Sequence, residues 1–181
     1  DSGNVYVTGF SRGSSGTNDY TTIKYDNSGN RKWLKEYNGP AKGADAANSI
    51  AIDKQNNIYV TGSCYNVTNY SDITTIKYSR NGVQVWVKSH DGSGSLNDIG
   101  KKIITDKNNN IYVMGLVEDK TSKYNDNYGV IKYDINGKVL WSNEFNGSNG
   151  RDDVPNAIVV DSSENVYITG SNFGTRGYDN Y

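Results

Sequence analysis

NNIYVTG, residues 56–62, reads as a short β-strand with nothing catalytic in it, yet the chain writes it four times. The other copies are GNVYVTG (3–9), NNIYVMG (109–115) and ENVYITG (164–170). Their tyrosines, Tyr6, Tyr59, Tyr112 and Tyr167, are separated by 53, 53 and 55 residues. Three further columns keep that period: TIKYD (22–26), TIKYS (75–79) and VIKYD (130–134); Trp33, Trp86 and Trp141; Asp45, Asp98 and Asp153. Columns that share one period signal a repeat architecture rather than biased composition. The repeat units run approximately 1–44, 45–97, 98–152 and 153–181, all parts of one domain. The two additional residues of the third unit fall between Gly115 and Tyr128, which makes that connection a loop.

Each period reads as four strands. In the second unit they are NSIAID (48–53), NIYVTG (57–62), ITTIKY (73–78) and VQVWVKS (83–89). Alternation within them fits a pleated sheet, with Val85 and Val87 opposing Trp86 and Lys88. Tight turns join strands one to two (53–57) and three to four (26–30, 134–137), with Asp bonding back to the backbone and Gly or Asn taking positive φ. The connections 63–72 and 90–97 are longer and variable. Four antiparallel strands at a period near 50 describe the blade of a β-propeller. On that reading the chain is all-β, and NNIYVTG is a central strand packed on both faces between neighbouring blades. The strand count is thirteen, about 3.25 blades, so the ring is incomplete. The expectation is that the chain belongs to a longer polypeptide or completes its ring with further copies of itself.

Composition agrees. The 181 residues hold 20 Gly, 15 Tyr and only 2 Pro, with 22% charged residues, a balance suited to strands and turns. Lys+Arg number 19 against 20 Asp+Glu, for a net charge of −1, so the basic excess of a nucleic-acid binder is missing. No apolar run approaches the ~20 residues that span a bilayer, and the single Cys64 leaves no pair for an internal disulfide.

The pattern D-x-x-x-N-[VI]-Y-[VI]-[TM]-G … [TV]-I-K-Y-[DS]-x-x-G … W resembles the SBBP-type β-propeller repeat along the whole chain. PNAIVVDSSENVYITG (155–170) is also similar to an NHL-type blade, and DINGKVLW (134–141) to the outer-strand turn of quinoprotein-type repeats. The resemblance implies a propeller with NSIAID innermost and the Trp strand outermost. It implies a secreted or cell-surface protein of bacteria or archaea, and it supplies no catalytic motif to carry over.

The residues that invite chemistry fall in packing or turn columns. His90 and Asp91 suggest an acid–base pair, but His90 occupies the slot of Tyr37 and Phe145. Cys64 lies at a loop position without a His partner. The turns D-x-x-G-N (26–30) and D-x-x-x-N (53–57) each supply one Asp plus Asn, short of the 6–8 oxygens of calcium. No catalytic residue, metal or cofactor is therefore expected. Asp45, Asp98 and Asp153 precede the innermost strands and form an arc at one channel mouth. They could hold a cation or polyol, or they could stitch backbone N–H groups between blades. Lys24, Lys77 and Lys132 are expected to pack between blades with their ammonium groups paired to Asp.

Recognition is expected from what varies: SRGSSGTND (11–19), CYNVTNYSD (64–72) and VEDKTSKYNDN (117–127), with Tyr65, Tyr70 and Tyr124 as exposed aromatics. The function this implies is a non-enzymatic scaffold that binds a protein or glycan. The alternative is a piece of a quinoprotein-like or NHL-like enzyme with its site over the channel.

Overall fold

The structure, a computed structural model, describes residues 3–68, 70–120, 126–147, 152–173 and 179–180. They form fourteen strands in four antiparallel sheets. The first sheet holds β1 (Val5–Arg12), β2 (Asn18–Tyr25) and β3 (Arg31–Tyr37); the second holds β4 (Ala46–Ile52), β5 (Ile58–Tyr65), β6 (Ser71–Tyr78) and β7 (Gln84–His90). The third holds β8 (Asp98–Thr105), β9 (Ile111–Glu118), β10 (Asp126–Tyr133) and β11 (Val139–Phe145); the fourth holds β12 (Asp153–Val160), β13 (Val166–Phe173) and β14 (Asp179–Asn180). The short β14 is one strand more than the thirteen expected. Its sequence, Asp-Asn, lacks the apolar alternation that betrays the others. Each sheet follows chain order, with β4, β8 and β12 innermost and the Trp strands β3, β7 and β11 outermost. This is the blade assignment read from the repeat. The sheets do not close, so the ring is incomplete.

The repeated motif explains the packing. Side chains alternate across β5, so Ile58 and Val60 join the cluster shared with the first sheet, which includes Tyr20 and Trp33. Tyr59 points the other way, into the cluster shared with the third sheet, beside Ile111, Val113 and Tyr133. Ile58, Tyr59 and Val60 are all 0% exposed. A central strand therefore serves two hydrophobic interfaces at once, which is why both parities of NNIYVTG repeat.

The turn upstream is a hydrogen-bonded unit. Asp53 Oδ1 accepts from the backbone of Gln55 and Asn57, and its Oδ2 accepts from Asn57 Nδ2 and the Tyr59 hydroxyl at 2.8 and 2.9 Å. Asp106–Asn110–Tyr112 and Asp161–Asn165–Tyr167 repeat the network. The column asks for Tyr rather than Phe because its hydroxyl anchors to that Asp.

Neighbouring blades are clamped through backbone carbonyls. Lys24 Nζ and Trp33 Nε1 both donate to the Arg80 carbonyl in the next blade, and Lys77 Nζ and Trp86 Nε1 both donate to that of Ile135. The expected Lys–Asp pairing is thus replaced, since the turn of the adjacent blade brings a carbonyl closer than any Asp. Each ammonium also lies over a tyrosine ring, Lys77 at 5.4 Å from the Tyr59 centroid. Lys132 alone of the three pairs with a carboxylate, Glu164 at 2.8 Å.

Candidate functional site

Alternating strand direction sends the turns 26–30, 53–57, 79–83, 106–110, 134–138 and 161–165 to one face of the stack. The longer connections emerge on the other face. Contacts prove that they meet there: Asn38 Nδ2 donates to Ser15 Oγ at 3.2 Å, and Thr17 Oγ1 to the Lys42 carbonyl at 3.3 Å. In the next pair of blades Ser71 donates to Asn97 Oδ1, and Asn97 in turn donates to Glu118 at 3.0 and 3.1 Å. Ser93 N and Oγ donate to the Glu144 carboxylate at 3.0 and 2.6 Å. The loop face is thereby a cross-tied polar surface; the turns opposite are also linked from blade to blade, through Lys54 to the Lys107 carbonyl and Lys107 to that of Ser162.

Each sequence candidate has a definite place on it. Tyr70 is exposed, beside the Asn66 side chain that caps the 66–70 turn by accepting from Thr68 N and Tyr70 N. Tyr65 ends β5 and is only half-buried at its edge; its ring lies against Gly43, so it is less exposed than its loop-like sequence suggested. Tyr124 lies outside the described residues. Sequence reasoning missed three apolar side chains at this end of the strands, Phe10 and Phe145 at more than half exposure and Val67 at 77%. Phe145 packs on Tyr128 at 5.7 Å yet leaves its outer edge to solvent. Position in the strand was the available signal: β1 and β11 both run toward the loop face, and these residues stand at or near their ends.

Asp45 immediately precedes β4, Asp98 and Asp153 begin β8 and β12, and all three are essentially inaccessible. Asp45 accepts from Gly39 N at 2.6 Å and Tyr65 N at 2.9 Å. Asp98 accepts from Gly92 N at 2.6 Å and Glu118 N at 3.1 Å, and Asp153 from Gly147 N at 2.6 Å. Each carboxylate thus pins the connection from the preceding blade, and Asp45 and Asp98 also hold the end of their own blade's second strand. They do not present an open acidic arc. Among the described residues no group of three or more His, Cys, Asp or Glu is placed to hold a metal ion.

Burial pushes the Asp98 carboxyl up to about 7; the two backbone donors oppose that rise, and Asp91 and Asp72 add to it. The folded state then holds a proton on Asp98 that the unfolded chain releases near pH 4. Stability from this group is complete below about pH 4 and is lost as pH rises toward 7. Urea unfolding of wild type should show that decline, worth roughly 2–4 kcal/mol. Asp98→Asn, which removes the titration, should flatten it; an unchanged pH profile in the variant would rule this assignment out.

His90 is half-buried at the end of β7, paired across the sheet with Ile73, where Tyr37 faces Tyr20 and Phe145 faces Tyr128 in the sibling blades. Burial lowers its pKa, against the opposing pull of Glu144, Asp91 and Asp72. Cys64 is not in a loop. It belongs to β5, is 3% exposed and packs over Gly39, where burial raises its thiol pKa and leaves it a poor nucleophile.

The profile of the SBBP β-propeller repeat matches residues 32–74 and 140–171. Those two stretches match SBBP β-propeller repeats. A WD repeat-containing protein of Acanthamoeba polyphaga mimivirus is 28% identical over 149 residues, which is 70% of this chain and 10% of the relative. The propeller described here thus spans about a tenth of that relative's length. Among solved structures, a gluconolactonase from Xanthomonas campestris is 15% identical with a TM-score of 0.44, over 84% of this chain and 42% of that one. A GH43 endo-arabinanase from Bacillus licheniformis is 14% identical with a TM-score of 0.43, over 98% of this propeller and 72% of that chain. Likenesses this distant carry no argument about activity.

Proposed function

We propose that this propeller is a non-enzymatic secreted or cell-surface scaffold that binds a protein or glycan through its loop face. The observation that supports the reading most directly is the contrast between its two faces. The turn face repeats the same Asp-anchored geometry in blade after blade. The loop face differs in sequence from blade to blade, yet its loops are tied to one another, giving a varied surface on a rigid support. Exposed Phe10, Val67, Tyr70 and Phe145 stand among Asn, Ser and Thr there. Aromatic anchors beside adaptable polar groups suit a polar macromolecular partner. The residues of acid–base or nucleophilic character are absorbed by packing, which favours binding over catalysis. A quinoprotein-like or NHL-like enzyme would instead need a unique polar cluster over the channel.

The test is binding of the purified chain to immobilised glycans and candidate surface proteins. Tyr70→Ala should weaken capture about tenfold, the scale of one lost aromatic anchor, with thermal unfolding unchanged. Ser28→Ala on the turn face should leave capture intact. If Ser28→Ala weakened binding and Tyr70→Ala did not, the partner would sit on the opposite face.

A further inference from the structure

The repeat leaves one carboxylate of the loop face without the donor that its sibling has. Asp72, the second residue of β6, stands beside the 66–70 turn, and its Oδ1 accepts from Asn66 Nδ2 in that turn. The equivalent carboxylate in the first blade is Asp19, and the equivalent of Asn66 is Gly13, since Arg12 pairs with Asn18 as Tyr65 pairs with Ser71. Gly13 opens the same kind of turn, its N donating to the Thr17 carbonyl at 2.8 Å as Asn66 N does to that of Tyr70 at 2.7 Å. It has no side chain to offer. A Cβ there would overlap Asp19 Oδ2, so the turn lies directly on the carboxylate. Asp19 is 4% exposed, and its Oδ1 meets no hydrogen-bond donor among the described residues. A carboxylate so buried is costly unless a donor or a cation satisfies it. The donor that Asp72 uses belongs to its own blade, so the deficit at Asp19 lies within the first blade.

A second oxygen in the same condition stands across the sheet. β2 and β3 pair Thr21 with Glu36 and Tyr20 with Tyr37, and one step further that register sets Asn38 opposite Asp19. Asn38 Nδ2 donates to Ser15 Oγ at 3.2 Å, in the turn that rests on Asp19, while its Oδ1 is buried and meets no donor among the described residues. Two acceptor oxygens thus share one end of the ladder under one turn. The charge around them is negative: burial raises the Asp19 pKa, and Asp45 and Glu36 raise it further. The ion pairs among the described residues, Lys32–Asp26 and Lys132–Glu164, leave Asp19 out.

The geometry points to a binding site for a hard cation, calcium, on the loop face, with the Asp19 carboxylate and the Asn38 amide oxygen as protein ligands and the 13–17 turn as cover. Carboxylate and amide oxygens are calcium ligands, and the calcium shell tolerates irregular geometry and bound water. Magnesium demands a stricter octahedron and gives up water reluctantly. The site does not require the cluster of three acidic, His or Cys side chains that is missing among the described residues. One carboxylate, one amide oxygen and water make a weak site, of the roughly 0.1–1 mM class of extracellular calcium modules. Thr17 Oγ1 of the covering turn also donates to the Lys42 carbonyl, so an ion held there stiffens the loop face where the first blade meets the second.

Titration of the metal-free 181-residue chain with calcium chloride reads this without any macromolecular partner. Wild type should bind one calcium with a Kd of about 0.1–1 mM. Its unfolding temperature should rise by about 5 °C in about 10 mM calcium, and by less in the same concentration of magnesium. Asp19→Asn should weaken binding at least about tenfold and remove the thermal shift. Asn38→Asp, which sets a second carboxylate at the site, should tighten binding. Circular dichroism establishes that each variant is folded; should Asp19→Asn fail, Asn38→Ala removes only the amide oxygen and should weaken binding too. A wild-type chain indifferent to calcium would overturn the inference, and a loss of its stability with rising pH that Asp19→Asn abolishes would then assign Asp19 a proton in place of the ion. Unchanged binding in Asp19→Asn would also overturn it. So would weaker binding in Asn38→Asp, because the amide would then be donating to Asp19 rather than sharing a cation with it.

Discussion

Gly62→Ala should cost the fold about 3 kcal/mol, the scale of overpacking in a tight interior, while Gly9→Ala should shift stability by no more than ~0.5 kcal/mol. Both glycines close the same motif, TG at 61–62 and at 8–9. What differs is the strand alongside. The pairing of β4 with β5 slips between Ala47 and Ser49, and this bulge swings the Ala46 carbonyl oxygen onto Gly62. A Cβ there would overlap that oxygen and crowd the Ala47 Cα. Gly115 meets the Ile99 carbonyl and Gly170 that of Val154 in the same way, beside matching slips at Gly100/Lys102 and Pro155/Ala157. Gly9 lies in β1, on whose inner edge no strand pairs among the described residues, and none of them comes within 4 Å of its would-be Cβ. Urea unfolding of the two variants side by side checks the account. Equal losses would mean that the glycine is kept for backbone freedom rather than for space.

The bulge also shows where the sequence stops being readable. Four columns at one period were enough for the blade, its strand order and the two-faced packing of NNIYVTG, because each follows from period-2 alternation and turn chemistry. Nothing local announces the slip at Asn48. Only in the fold does its side chain reach the Gly100 carbonyl of the next innermost strand at 2.9 Å, while Ser49 Oγ accepts from Ile103 N. The lysine partners were hidden for a similar reason. A carbonyl belongs to every residue, so no sequence column marks Arg80 or Ile135 as the acceptor. Cys64 read as loop because its sibling positions are Ser11, Val117 and Asn172, a mixture without pattern, whereas β5 extends through it to Tyr65. The loop face was legible as a region, since strand alternation gathers its connections on one side. Its exposed Phe10 and Phe145 were not, because their columns elsewhere hold buried or half-buried residues such as Leu116 and Tyr37.

Trp86→Ala should destabilise the propeller by about 3 kcal/mol, near the low end for deleting a large aromatic from a packed site, and Trp141→Ala by about half as much. The three tryptophans all lie in outermost strands, but their surroundings are not equivalent. Trp86 stands between two tyrosines, with its ring centroid 5.9 Å from Tyr59 in its own blade and 6.1 Å from Tyr133 in the next. Its Nε1 also donates to the Ile135 carbonyl at 3.2 Å, so it bridges two blades by packing and by a hydrogen bond. Trp33 repeats this between Tyr6 and Tyr78. Trp141 contacts Tyr112 at 6.2 Å, and among the described residues no second tyrosine flanks it. Removing Trp86 therefore takes away two tyrosine contacts and a hydrogen bond between blades, whereas removing Trp141 takes away one tyrosine contact beside the cluster that joins the third and fourth sheets. Trp86→Phe separates the contributions: it keeps the ring between the tyrosines and should cost only about 1 kcal/mol for the lost donor. Urea midpoints of the three variants decide the matter. Identical losses at Trp86 and Trp141 would mean that the tryptophan stabilises its own strand, and that the blades are joined by the buried Tyr, Ile and Val columns alone.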